Sequence, residues 1–159
     1  VTGAPTPQRN GRQLAIRWLG QAPLTRFELE RRLTRAGVED AAAIVADLAA
    51  AGWQSDEAVA ELELRRACRR HDGPQRLGQR LRQRGVDPEL ATRTVHALDD
   101  DTWWAQAWRE AARTPHDEAN RGRLARRLAR RGFSSSVIAQ VLERWGQEAS
   151  QVDEEDLDR

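Results

Sequence analysis

The sequence predicts an all-α protein of three tandem three-helix repeats forming an elongated, curved array, and three observations carry that expectation. First, residues 28–38 (ELERRLTRAGV), 76–86 (RLGQRLRQRGV) and 123–133 (RLARRLARRGF) align on Gly37, Gly85 and Gly132. That alignment superposes Leu29, Leu77 and Leu124, then Leu33, Leu81 and Leu128, as an internal repeat does. Second, leucines four apart share one helix face, and the glycine beyond them is the left-handed residue at which a helix stops. Third, Leu98 and Trp145 stand thirteen residues past the second and third glycines, preceded by Thr94 with Val95 and by Val141 with Leu142. The first copy supplies Ile44, Val45 and Leu48 in this register if two residues are missing after Gly37, which we read as a shortened turn.

Taken in order, residues 1–11 hold two prolines and two glycines without a period, and a flexible leader is expected. The first repeat (12–51) opens with a helical stretch over about 12–20, where Trp18 packs beside Leu14, Ala15 and Leu19. Thr25 and Glu28 make a capping box for its second helix. The second repeat (52–99) has a helix over 56–70, the arginine-rich helix ending at Gly85, and a third helix capped by Asp87 with Pro88 in its first turn. The third repeat (100–146) has a helix over 101–113, the helix ending at Gly132, and a last helix opened by Ser134. Asp99, Asp100 and Asp101 read as cap and dipole partners rather than a cation site. Trp104, Ala107, Trp108 and Ala111 form a core stripe, joined by Trp145 on the leucine register. Trp103 falls off that stripe, where exposure and stacking on a base or a partner is the weaker of two readings.

Composition excludes several functions. The chain of 159 residues is 39% hydrophobic and 32% charged, without an apolar run that could cross a bilayer, so a soluble protein with no membrane partner is expected. Neither a secretory signal nor a lipidation motif is evident, so a cytoplasmic location is expected, and a monomer is expected. Cys68 has no disulfide partner, and Cys68 with His71 offers two of the four ligands of a structural zinc, so no metal is expected. There is no tyrosine, no glycine-rich phosphate loop and no nucleophile elbow, and His71, His96 and His116 have no triad spacing. Neither enzyme activity, a cofactor nor a small-molecule ligand is expected.

Charge speaks through its distribution. Residues from Gln147 onward carry a net −5 and are expected to be an acidic, disordered tail (147–159), which leaves +6 on residues 1–146. The positive charge is all arginine, and it runs in stripes. Arg76, Arg80 and Arg84 lie at i, i+4 and i+8, and Arg65, Arg66, Arg69 and Arg70 crowd the end of the helix before them. Arg123, Arg126, Arg127, Arg130 and Arg131 surround Leu124 and Leu128 on a stretch containing no acid, so their repulsion reads as uncompensated. All three copies place arginine five residues before the glycine, at Arg32, Arg80 and Arg127. A solvated face, or a GC-rich genome, is the ordinary account of such runs. Solvated faces intersperse both signs, however, and these do not, so a partner-binding surface is expected. A guanidinium fork suits phosphate and carboxylate alike, leaving nucleic acid and an acidic protein surface both open.

GWQSDEAVA at 52–60, followed by RRHDGPQRLGQRLRQRGV at 69–86, resembles the RecX family, regulators of the bacterial recombinase RecA. The matching positions are Gly52, Trp53, Asp56, Glu57, Gly73, Pro74, Arg76, Leu77, Leu81 and Gly85. Val59 stands where an aromatic is usual, and His71 with Asp72 replaces a basic residue before Gly-Pro. The resemblance covers about residues 12–146, and it implies three tandem three-helix repeats. It further implies binding to the RecA nucleoprotein filament within its helical groove, with inhibition of ATP hydrolysis, strand exchange and coprotease activity. The alternative is a free nucleic-acid-binding helical protein acting on single- or double-stranded DNA through its arginine stripes. A helix-turn-helix form of it lacks an Asn or Gln set on an evident recognition face.

Overall fold

The computed structural model describes residues 7–157. Among them are α1 (Pro7–Gln21), α2 (Arg26–Arg35), α3 (Ala41–Ala50), α4 (Asp56–Arg70), α5 (Pro74–Gln83), α6 (Pro88–Val95), α7 (Asp100–Ala111), α8 (Glu118–Arg131) and α9 (Ser135–Leu157). The fold is all-α, in repeating groups of three helices. Two compact units result: Val1–Glu63 with Arg80–Thr92, and Leu64–Gln79 with Arg93–Arg159, so α4 and α5 each give one end to either unit. None of the described helices is long and apolar enough to cross a membrane.

The register read from the repeat is the register of the core. Leu29, Leu33, Leu77, Leu81, Leu124 and Leu128 are all fully buried, each burial contributing about 1.5–3 kcal/mol. Gly37, Gly85 and Gly132 have φ of 77°, 75° and 87°, the left-handed values that end a helix. Caps stand where expected. The Thr25 side chain accepts from the Glu28 N–H at 3.1 Å while the Thr25 N–H donates to Glu28 Oε2 at 3.0 Å. Asp87 accepts from the Glu89 and Leu90 amides, Asp99 from Thr102, and Ser134 from Val137.

In the first unit Ala15, Leu24, Leu29, Leu33, Ala41, Ile44, Val45 and Leu48 form one apolar cluster, with Trp18 packed against it. The two-residue gap after Gly37 does not lie in the turn. α3 begins four residues after Gly37, whereas α6 and α9 begin three after Gly85 and Gly132. What the first copy lacks is part of the helix: α3 starts on buried Ala41, whereas α6 runs from Pro88 to its first buried residue at Ala91.

In the second unit α7, α8 and α9 pack pairwise on one another. Here Trp103 is corrected: it is 3% exposed, with its Nε1–H donating to the Val95 carbonyl at 3.3 Å, so it offers no stacking platform. The buried stripe of α7 is Trp103, Gln106, Ala107, Glu110 and Ala111. Its two polar members hid it in the sequence. Trp104 and Trp108 are half-buried and stack on each other at 5.6 Å.

The helices also reach further than expected. α1 opens at Pro7, inside the stretch read as a flexible leader, because proline is well suited to a first helical position whose N–H has no acceptor. α9 continues to Leu157, through the stretch read as a disordered tail, where Gln, Glu and Ala favour the helix and no proline breaks it.

Candidate partner-binding arginine surface

The thirteen arginines that the sequence singles out divide by environment. In the first unit, Arg84 sits just past the end of α5 and faces the start of α2 and the middle of α4. Its Nε and Nη2 grip Glu28 at 2.8 and 2.7 Å, Nη1 donates to Glu63 at 2.9 Å, and Nη2 also donates to the Pro23 carbonyl at 2.9 Å. Arg80 approaches the same Glu63 at 3.8 Å, and the Glu63 side chain is 4% exposed. Burial pushes the Glu28 carboxyl up, but its bonds from Arg84 and the Thr25 N–H outweigh that and hold it below the ordinary glutamate range. The bond with Glu28 holds the Arg84 guanidinium above its ordinary value, against its own burial. The backbone joins here as well: the Thr25 hydroxyl donates to the Arg84 carbonyl at 2.6 Å.

The second unit brings the end of α4, the start of α5 and the end of α8 together. The Gly73 N–H donates to the Arg131 carbonyl at 2.7 Å and the Gln75 N–H to the Gly132 carbonyl at 3.1 Å. Free amides at one helix start thus meet free carbonyls at another helix end, which satisfies both. Arg131 reaches Asp72 at 3.6 Å and Glu110 at 3.4 Å, and bonds the Arg70 carbonyl. Arg127 pairs with Glu110 at 3.2 Å and bonds the Thr114 hydroxyl. Arg76 lies 3.4 Å from Asp72, a side chain only 3% exposed, and 3.4 Å from the Arg130 carbonyl.

The arginine repulsion is therefore compensated in part: Arg76, Arg80, Arg84, Arg127 and Arg131 each meet an acid outside their own helix. Glu63 and Glu110 went unmarked in the sequence, and Glu28 and Asp72 were not paired with arginine there, because counter-charges were sought on the same helix. What remains exposed is Arg32 on α2, Arg65, Arg69 and Arg70 on α4, Arg76 on α5, and Arg123, Arg126 and Arg130 on α8; Arg66 is half-buried. Arg123 also reaches Asn120 at 3.4 Å.

The motif residues have structural work. Gly52 turns the chain with φ 74°, and the Trp53 N–H donates to the Leu48 carbonyl while its ring is 57% exposed. Asp56 accepts from the Arg26 N–H at 2.8 Å and from Gln54 at 2.6 Å, and Glu57 meets the Ser55 hydroxyl at 3.1 Å. Gly73, followed by Pro74 at the head of α5, lies so close to Gly132 that an added Cβ would stand 2.5 Å from the Gly132 carbonyl carbon and oxygen. Gly85 faces Phe27, whose Cβ and Cγ would be 2.5 Å from a Cβ there. Among the described residues, no group of three His, Cys, Asp or Glu is arranged to hold a metal ion.

Two family models match the chain: the second three-helix domain of RecX over residues 55–94 and the third over residues 101–142. The chain is 39% identical over 131 residues to the regulatory protein RecX of Chromobacterium violaceum, covering 80% of this chain and 86% of that protein. It is 35% identical over 134 residues to the regulatory protein RecX of Stenotrophomonas maltophilia, covering 79% and 81%. The crystal structure of RecX from Lactobacillus salivarius superposes with a TM-score of 0.78 over 87% of this chain and 96% of that one; at 20% identity it speaks for the fold.

Proposed function

The chain belongs to the RecX family, and from that membership we propose that it is a non-enzymatic negative regulator of the RecA recombinase, acting in recombinational repair and the SOS response. It binds the RecA nucleoprotein filament and inhibits its ATP hydrolysis, strand exchange and coprotease activity. The observation that carries this reading is the 39% identity to a regulatory protein RecX over most of both chains.

The exposed arginines supply the contact chemistry. Arg32, Arg69, Arg70, Arg76, Arg123, Arg126 and Arg130 present guanidinium groups to solvent, suited to carboxylates of the recombinase or to phosphates of filament DNA. Each exposed contact is worth about 1 kcal/mol or less. Several contacts linked on one chain act together, so occupancy of the filament can be strong although each is weak. Arg80, Arg84, Arg127 and Arg131 support the surface rather than form it.

Reversing charge at the exposed set of α8, with Arg123, Arg126 and Arg130 all changed to Glu, is expected to raise the concentration needed for half-inhibition of filament ATPase about tenfold or more, with helicity by circular dichroism unchanged. Inhibition as strong as wild type would remove α8 from the partner surface. The same exposed arginines favour a second reading, binding of free DNA. Filament inhibition that disappears in step with added competitor DNA, with a steep log-log salt slope, would select it.

A further inference from the structure

The ion pairs of the two units fall at equivalent places in the repeat. Glu63 precedes Gly85 by 22 residues, and Glu110 precedes Gly132 by 22. Arg80 and Arg127 precede those glycines by five residues, and Arg84 and Arg131 by one. In each copy an acid on the first helix holds two arginines of the second: Glu63 at 3.8 and 2.9 Å, Glu110 at 3.2 and 3.4 Å. The arginine next to the glycine then extends into the preceding repeat, Arg84 to Glu28 and the Pro23 carbonyl, Arg131 to Asp72 and the Arg70 carbonyl.

We infer that Glu63 and Glu110 are positioning residues of a repeated joint: each orients a pair of arginines so that the second of them fastens its repeat to the one before. Two facts support a joint rather than a core role. The first copy, where Gly37 ends the second helix, has fully buried Ala15 at the acid's place, Ala36 at the second arginine's place, and exposed Arg32 at the first's. The clamp is thus absent from the copy whose glycine turn is unpacked, since a Cβ added at Gly37 would meet nothing within 4 Å. In the two copies that carry it, the glycine turn lies against the preceding repeat, Gly85 on Phe27 and Gly132 on Arg76. A carboxylate this enclosed would be costly without its arginines, so acid and pair must occur together.

The test is residue-resolved amide hydrogen exchange on the full chain, wild type against Glu110→Gln. The Gly73 and Gln75 amides bond across the second joint, whereas the Phe133 amide bonds Leu128 within its own repeat. Exchange at Gly73 and Gln75 is expected to accelerate on the order of tenfold while Phe133 changes less than about twofold. Equal acceleration at all three, the mark of a loosened core, or no change at Gly73 and Gln75, would overturn the joint. Arg131→Gln opens the same contact from the other side and must give the same pattern, which decides the matter if Glu110→Gln does not fold. A functional arm rests on the reading of the chain as a filament regulator: Glu110→Gln should then inhibit filament ATPase several-fold more weakly than wild type. If wild type itself does not inhibit, that reading falls, and the exchange pattern still decides the joint.

Discussion

Gly132→Ala is expected to lower the stability of the chain by about 3 kcal/mol. Its φ of 87° is left-handed, which costs a side-chain-bearing residue about 1–2 kcal/mol. The new Cβ would also stand 2.5 Å from the Arg76 backbone nitrogen and 2.7 Å from the Arg76 Cβ, an overpacking that typically adds about 1–3 kcal/mol. No rotamer relieves it, because the obstacle is backbone. Gly37→Ala is the control, with nearly the same φ but nothing within 4 Å of the added carbon, and should cost only the conformational part, about 1–2 kcal/mol. Urea denaturation followed by far-UV circular dichroism measures both. Equal losses for the two variants would mean that the approach of Gly132 to α5 is not a packed contact.

Arg84→Met should cost a similar amount, about 3 kcal/mol, for a different reason. The guanidinium makes four bonds to Glu28, Glu63 and the Pro23 carbonyl. Its removal takes the 2.9 Å guanidinium contact away from the buried Glu63 carboxylate, which Arg80 also approaches at 3.8 Å. Breaking an enclosed ion pair from one side is expensive chiefly because the other charge stays behind. The double variant Arg84→Met with Glu63→Gln should therefore recover part of the loss, and the non-additivity is readable in a double-mutant cycle. A strictly additive cycle would show that Arg84 and Glu63 are not coupled.

The core and the turns were legible in the sequence because both are local. A leucine pair four apart and a glycine after it are contained within one segment, as are the Thr25–Glu28 box and the Asp87, Asp99 and Ser134 caps. The arginine environments were not legible in the same way. Periodicity along one helix reports which face a residue occupies, but the acids that hold Arg84 and Arg131 come from other helices and, for Asp72, from the turn between α4 and α5. A signal was nevertheless present: carrying the glycine-anchored alignment 22 residues upstream pairs Glu63 with Glu110. Trp103 was misplaced because the buried stripe of α7 includes Gln106 and Glu110, so the apolar letters alone pointed one residue off the true face. The motif glycines read as family markers; in the folded chain Gly73 and Gly85 are places where two segments approach too closely for a side chain.

Direct action on the recombinase is the central claim, and ATP hydrolysis by RecA filaments preassembled on single-stranded DNA, titrated with this protein at near-physiological salt, tests it most directly. Hydrolysis should fall in proportion to added protein, and an excess of free DNA should not restore it. Hydrolysis that stays constant, or that recovers fully when free DNA is added, would contradict the account and leave a basic helical repeat protein that competes for DNA or serves another partner.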